Sequence, residues 1–184
     1  MPDADLLPYG GRAHVEATML RAARATADFY IEQTPADGIP YWDTSAPGLA
    51  KLGDYLSRPA NPWNDFEPVD SSAATIAAQG LWRLGTHLFD LKSQRTHAHR
   101  YRQAALTLMQ HLLKEPYLSV KPFHQGLILH SVYHRPRGWD FIPRGQKIPC
   151  GESSMWGDYH AREMAMILLR HLRGEPYLTF FGCG

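Results

Sequence analysis

Charge of one sign, cysteine and long apolar runs are all scarce in this sequence of 184 residues. Its 19 basic and 18 acidic side chains give a formal net charge of +1, which leaves no basic excess to neutralise nucleic-acid phosphates. The two cysteines, Cys150 and Cys183, have neither metal-site nor redox spacing, which argues against a disulfide scaffold. No apolar run approaches the roughly 20 residues that span a bilayer. Neither nucleic acid nor a membrane is therefore expected as a partner.

The first residues also lack the basic and apolar segments of a signal peptide, so we expect a cytoplasmic protein. A hydrophobic content of 44% with 20% charged residues is typical of globular proteins. Residues 1–184 are enough to bury a core and are interpreted as a single domain.

The spacing of apolar residues predicts four α-helices, at about 13–33, 71–91, 97–114 and 161–172. The first and third carry one apolar stripe, whereas 73–78 and 161–172 are apolar on nearly every side. A helix that is apolar all round must be buried. The sequence therefore predicts an all-α fold in two layers, with buried helices inside and striped helices outside, as in an α/α toroid.

The two buried helices begin alike, each with an acid and two serines, at 70–72 and 152–154. We expect Ser153 or Ser154 to be the N-cap of the last helix. If the two helices run parallel, the loops around Trp42 and 132–156 converge on one mouth. Backbone amides near Gly157 would then face a bound carboxylate.

Three histidines, His124, His130 and His134, share parity within residues 123–150. An extended strand would place all three on one face, which makes a metal site conceivable. No carboxylate at ligand spacing supports zinc, and loop histidines more often bond loop carbonyls. We therefore expect neither a metal nor a cofactor.

Four motifs, in this order, resemble those of the unsaturated glucuronyl hydrolases (glycoside hydrolase family 88). They are GIPYWD at 38–43, DSSAATIA at 70–77, GLILHSVYH at 126–134 and WGDY at 156–159. Each motif alone is weak, but the ordered set is specific and covers about residues 23–173. The resemblance implies about half of a six-hairpin (α/α)6 barrel, with long loops and a short strand pair.

The resemblance also implies an activity, the release of a 4,5-unsaturated uronic acid from oligosaccharides. In that family an aspartic acid protonates the double bond and water adds at C5. The family's two essential aspartates lie in the first half of the barrel, in motifs that this chain lacks. The chain is thus interpreted as a C-terminal half with no catalytic residue of its own, which either self-associates or pairs with a missing N-terminal half. The alternative is a non-catalytic helical binding module derived from the same fold.

The resemblance further implies a substrate-binding wall. Tyr133 falls where the family places an aromatic ring against the sugar, and His134, Arg135 and Arg137 fall where it recognises the adjoining sugar. Trp42 and Trp156 either stack on a sugar ring or pack within the protein. Asp158 is either an acid at the mouth or a residue that stabilises the start of the last helix. For an unsaturated uronic-acid oligosaccharide, the candidate binding residues are therefore Trp42, Tyr133, His134, Arg135, Trp156 and Asp158.

Overall fold

Five α-helices form the regular structure of the residues that the computed structural model describes, 2–91 and 94–176. They are α1 Asp3–Leu6, α2 Gly11–Gln33, α3 Ser71–Asp90, α4 Arg95–Leu112 and α5 Met155–Leu172. The predicted all-α class is confirmed. The described residues contain no strand, only two isolated antiparallel bridges, Tyr41 with Val69 and Leu118 with Ile128. The predicted strand pair is thus reduced to single bridges.

The N-caps place α3 and α5 where the sequence predicted them. Asp70 caps α3 by accepting hydrogen bonds from the amides of Ser72, at 3.0 Å, and Ala73, at 3.3 Å. Ser154 caps α5 by accepting from the Gly157 amide at 3.2 Å. The cap of α3 is therefore the acid itself, whereas that of α5 is the second serine.

Side-chain bonds fix the direction of each neighbouring helix. Gln79 of α3 donates to the His160 carbonyl of α5 at 2.9 Å, and one turn later Arg83 lies 3.2 Å from Glu163. Because both residue numbers rise together, α3 and α5 run parallel. Arg102 of α4 lies 4.5 Å from the Trp82 ring centre of α3, and Arg95 lies 5.6 Å from that of Phe89. Because the residue numbers of this pair of helices change in opposite directions, α4 packs antiparallel to α3.

The outer helices α2 and α4 are joined through Asp28. Its carboxylate accepts from the Tyr101 hydroxyl at 2.9 Å and pairs with Arg100 at 2.5 Å. Tyr101 is fully buried, together with Leu108 and Leu112 of the predicted α4 stripe. Within the described residues, α2 thus contacts α4, and α3 packs against both α4 and α5. The two-layer arrangement with buried inner helices stays a prediction.

The prediction that the last helix is buried on every side is wrong. Ala161 and Met164 are buried against α3, but Met166 is 49% and Leu172 is 82% exposed. The apolar sequence indicates what the helix can bury, whereas its exposure depends on which elements pack against it. In α2, likewise, Met19 is exposed although it belongs to the predicted stripe.

Two irregular segments connect the helices at the end where α3 and α5 begin. Residues 38–69 close on themselves, because the Trp42 amide donates to the Pro68 carbonyl at 3.0 Å and Asp70 donates to Pro40 at 2.8 Å. Residues 123–150 do not form the extended strand that the histidine parity predicted. His130 interrupts it with a φ of 67°, in the left-handed region.

Cys150 is buried with a free thiol, and Cys183 lies outside the described residues. Among the described helices, none has the length and apolar character required to cross a bilayer.

We expect the isolated chain to self-associate through the exposed apolar face of α5, which consists of Met155, Tyr159, Met166, Leu169 and Leu172. Met166→Gln combined with Leu172→Gln should shift light scattering towards the monomer and reduce binding of a hydrophobic dye. The matched control is Met19→Gln, an exposed single methionine on α2. A monomeric wild-type chain that binds no dye would contradict this expectation.

Candidate functional site

A row of three aromatic side chains lies at the end where α3 and α5 begin. The Tyr133 ring centroid is 5.4 Å from that of Trp156 and 5.9 Å from that of Trp139. The Trp156 indole donates to Ser72 Oγ at 3.1 Å, and Ser72 donates in turn to Asp70 at 2.6 Å. This aromatic row is therefore anchored to the first turn of α3, and Tyr133 and Trp156 lie side by side although 23 positions separate them in the sequence.

The aromatic row borders an open cavity of about 360 Å³, called here the aromatic cavity. The rest of its lining is Ser131, Asp140, Phe141, Glu152, Ser153, Ser154 and Met155. Tyr133 and Trp139 are largely exposed, and Trp156 is half-buried. Broad apolar ring faces with hydroxyl and carboxylate groups between them suit a ligand that has both apolar faces and many polar groups, as a sugar does.

Aspartates fix the backbone that carries this row. Asp140 accepts hydrogen bonds from the amides of Tyr133 and His134, the latter at 3.0 Å. Asp70 accepts from the Val132 amide at 3.3 Å while it caps α3. Burial raises the pKa of Asp70, and its hydrogen bonds to Ser72 and to backbone amides oppose that rise. Both carboxylates are thus engaged in positioning the loop.

Asp158 has the same positioning function on the other side of the loop. One carboxylate oxygen accepts from the Leu127 amide and the other from the Ile128 amide, each at 2.8 Å. Ile128 is fully buried, so water has little access to replace the bond that its amide makes. Asp158 does not line the aromatic cavity. It belongs instead to an open groove of about 760 Å³ along α5.

The first turn of α5 is closed to ligands by its own packing. The Gly157 amide is buried and bonded to Ser154, so it does not face a bound carboxylate as predicted. A Cβ atom at Gly157 would lie 3.0 Å from Ser72 Cβ and 3.2 Å from Ser131 Oγ. Glycine at this position is what allows α3, α5 and the loop to approach one another closely.

The other candidate residues occupy separate positions. Trp42 lies in the 38–69 loop at the same end, and its indole donates to Glu67 at 2.7 Å. The His134 ring lies 5.0 Å from that of Trp139 at a tilt of 56°, next to the aromatic cavity. Arg135 is half-buried in a short 3-10 helix, Arg135–Arg137. The structure thus brings together Tyr133, His134 and Trp156, but places Trp42 and Asp158 elsewhere.

The three histidines do not share a face. The Gly126 amide donates to His124, the Gly151 amide donates to His130, and His134 packs on Trp139. Within the described part of the chain, no group of three or more His, Cys, Asp or Glu side chains could hold a metal ion.

Sequence reasoning missed Trp139 and Asp140. They follow Tyr133 by six and seven positions, in a Pro- and Gly-containing stretch without helical or strand periodicity. Aspartate in a turn often accepts hydrogen bonds from nearby backbone amides, which is a signal for Asp140. The stacking of Trp139 on Tyr133 has no comparable signal, because it depends on the path of the turn.

Asp158→Asn should destabilise the fold by about 1.5–3 kcal/mol, because an amide can replace only one of the two charge-assisted acceptors and leaves a buried N–H unpaired. Urea unfolding followed by circular dichroism measures the loss. The control, Asp43→Asn, changes an exposed aspartate that bonds only its own turn at Ser45 and should have little effect. Equal stabilities for the two variants would show that Asp158 does not hold the loop.

Burial lowers the pKa of His130 to about 4, although a hydrogen bond with the Pro116 carbonyl acts in the opposite direction. Between about pH 6.5 and 4 the unfolded chain therefore binds more protons at this residue than the folded chain. This contribution to stability is complete above the unfolded pKa and is lost as the pH falls through that window.

His130→Asn should remove this dependence, since asparagine tolerates the left-handed backbone. For the wild type, His130 contributes a fall in the free energy of unfolding of at most about 1.4 kcal/mol per pH unit in the window. The raised pKa of Asp70 acts with the opposite sign, so the quantity to measure is the difference between variant and wild type in urea titrations at several pH values. A difference that does not change with pH would contradict the buried neutral imidazole.

No family model matches the chain, but known proteins with similar sequences and structures include unsaturated glucuronyl hydrolases. An unsaturated glucuronyl hydrolase of Formosa agariphila is 29% identical over 146 residues, which are 78% of this chain and 29% of that protein. The crystal structure of the unsaturated glucuronyl hydrolase of Bacillus sp. GL1, responsible for the degradation of glycosaminoglycan, superposes with a TM-score of 0.60. The two sequences are 28% identical, and the match covers 86% of this chain and 34% of the Bacillus chain.

A further solved structure, of an unsaturated glucuronyl hydrolase variant with dGlcA-Glc-Rha-Glc, has the same TM-score of 0.60 and the same 28% identity. The chain spans about a third of the length of the curated relatives it matches. The resemblance predicted from the four motifs is confirmed: over most of its own length, this chain is similar in sequence and structure to unsaturated glucuronyl hydrolases.

Proposed function

We propose that this chain forms a saccharide-binding wall of a glycoside hydrolase that releases 4,5-unsaturated uronic acid from oligosaccharides. The observation that carries the proposal is the aromatic row, with ring centroids 5.4 and 5.9 Å apart along one side of an open cavity. A relative with an oligosaccharide in its structure supports a carbohydrate as the ligand.

The row offers a sugar both stacking surfaces and charge. Tyr133 and Trp139 stack with 26° between their planes and are 59% and 56% exposed, so together they offer apolar surface to a sugar ring. The Arg137 guanidinium lies 5.2 Å from the Trp139 ring centre, which places a permanent cation beside the stacking surface. A uronic acid carboxylate is the group that such a cation pairs with.

We further propose that the proton donor lies outside this chain. Asp140 and Asp158 each have both carboxylate oxygens bonded to backbone amides, so neither is free to approach a substrate. Glu152 lines the aromatic cavity but is exposed, whereas proton transfer to a double bond favours a site from which water is excluded. The same observation favours the alternative of a non-catalytic binding module. That the matched third is the C-terminal part of the relatives stays a prediction.

Binding is tested by titrating the chain with an unsaturated uronic-acid disaccharide. Tyr133→Ala should raise the Kd about tenfold, since losing one stacked ring costs about 1.4 kcal/mol. The control is Tyr9→Ala, another exposed tyrosine, which ends the short 3-10 helix Leu7–Tyr9. No binding by the wild type, or equal Kd values for the two variants, would contradict a saccharide site at this row.

Catalysis is tested by following the absorbance of the substrate double bond. We expect no turnover by the chain alone. Turnover that is abolished by Asp43→Asn or by Glu152→Gln would show that the acid is in this chain and would overturn the second proposal, while leaving the binding result intact.

A further inference from the structure

A second cavity, of about 440 Å³, adjoins the aromatic cavity and plays no part in the proposal above. Its lining includes Trp63, Glu115, Lys121, His124, His130 and Gly151. We call it the Trp63 cavity. It combines one exposed indole with one lysine, one carboxylate and two imidazoles, a mixture that the core of the fold does not require.

The two cavities are separated by a wall one backbone layer thick. His130 and Gly151 line the Trp63 cavity, and the next residue of each segment, Ser131 and Glu152, lines the aromatic cavity. The Gly151 amide donates to His130 Nδ1 at 3.1 Å, and the Ser131 amide donates to the Glu152 carbonyl at 2.9 Å. The two cavities thus lie on either side of one backbone layer, so a linear oligomer that occupies both has to pass over the edge of this wall.

The indole of Trp63 is held ready for a ligand. It is 53% exposed, yet its ring packs at 88° to that of His130 with centroids 5.4 Å apart. Its backbone amide donates to Asn61 Oδ1 at 3.0 Å, and buried Asn64 bonds the carbonyls of Asn61 and Glu67. A large apolar ring on a fixed turn loses little conformational entropy when a sugar stacks on it.

Polar groups around Trp63 match an acidic sugar. Lys121 is exposed and supplies a cation. The Gly126 amide donates to His124 Nδ1 at 3.0 Å, which leaves the N–H of the neutral ring on Nε2 as a donor. Glu115 supplies an acceptor for sugar hydroxyls, so a carboxylate and hydroxyl groups of one ligand have partners within the same cavity.

We propose that the Trp63 cavity is a subsite for a second uronic acid of the oligosaccharide whose first sugar lies on the aromatic row, with Trp63 as the stacking surface and Lys121 as the partner of the carboxylate. This inference rests on the proposed function. It makes the site an extended one that prefers a tetrasaccharide with alternating uronic acids over the corresponding disaccharide.

The experiment follows the five tryptophan indole N–H signals of the full chain by NMR while an unsulfated unsaturated disaccharide or tetrasaccharide is added. Each signal is assigned from the variant that lacks it. We expect both sugars to shift the signals of Trp139 and Trp156, and only the tetrasaccharide to shift that of Trp63. The tetrasaccharide should bind at least fivefold more tightly than the disaccharide.

Trp63→Ala and Lys121→Ala should each remove most of that fivefold advantage and leave the disaccharide Kd unchanged, and Trp63→Phe should retain part of it. The matched controls are Phe29→Ala and Lys51→Ala, exposed residues outside both cavities. If the disaccharide binds but the Trp63 signal does not respond to the tetrasaccharide, the subsite is wrong and the proposed function stands. If neither sugar shifts Trp139 or Trp156, the proposed function fails and the inference fails with it.

Discussion

Hydrogen bonds from backbone amides to aspartate carboxylates hold the loop between 127 and 134 in place. Asp158 of α5 accepts from amides at the beginning of this loop. Asp70, at the start of α3, accepts from an amide further along it, and Asp140 accepts from amides at its end. The loop has no strand partner that could satisfy these amides over its length, and Ile128 within it is fully buried. A buried backbone amide without a hydrogen-bond acceptor destabilises the fold. The carboxylates therefore supply the acceptors that a neighbouring strand would provide in a sheet.

The position of the aromatic row follows from these bonds. The position of Tyr133 is fixed by the hydrogen bond that its backbone amide donates to Asp140, the residue directly after Trp139. Trp156 is placed from the other side, by the first turn of α5 and its bond to Ser72. Three elements distant in sequence therefore set one short stack of rings. The Tyr133 backbone is held by a charge-assisted bond to Asp140, and the Trp156 indole is held by Ser72 in the first turn of α3, so the rings are in position before any ligand arrives.

Local patterns predicted the elements of this fold but not their contacts. The cap at Asp70 and the stripe through Leu108 lie within a few residues of the structure they specify, so α3 and α4 are close to their predicted bounds. The partners of Asp158 are 30 and 31 residues away, and no spacing rule connects them. The sequence also gives no signal for the left-handed backbone at His130. The parity of the histidines predicts a common face only if the backbone is extended, and at His130 it is not. The exposure of α5 depends on which elements pack against it, and the composition of the helix does not predict those elements.

The apolar face of α5 and the aromatic cavity meet at Met155, which is 84% exposed and lines both the cavity and the groove along α5. Ser153 lies in both linings as well. Any helix or second copy that covers the groove therefore contacts the rim of the cavity and adds a wall to it. A closed wall also excludes water, the condition under which a proton donor is effective. If the proposed function holds, a cover over the α5 face also extends the saccharide site, because Met155 and Ser153 belong to both linings.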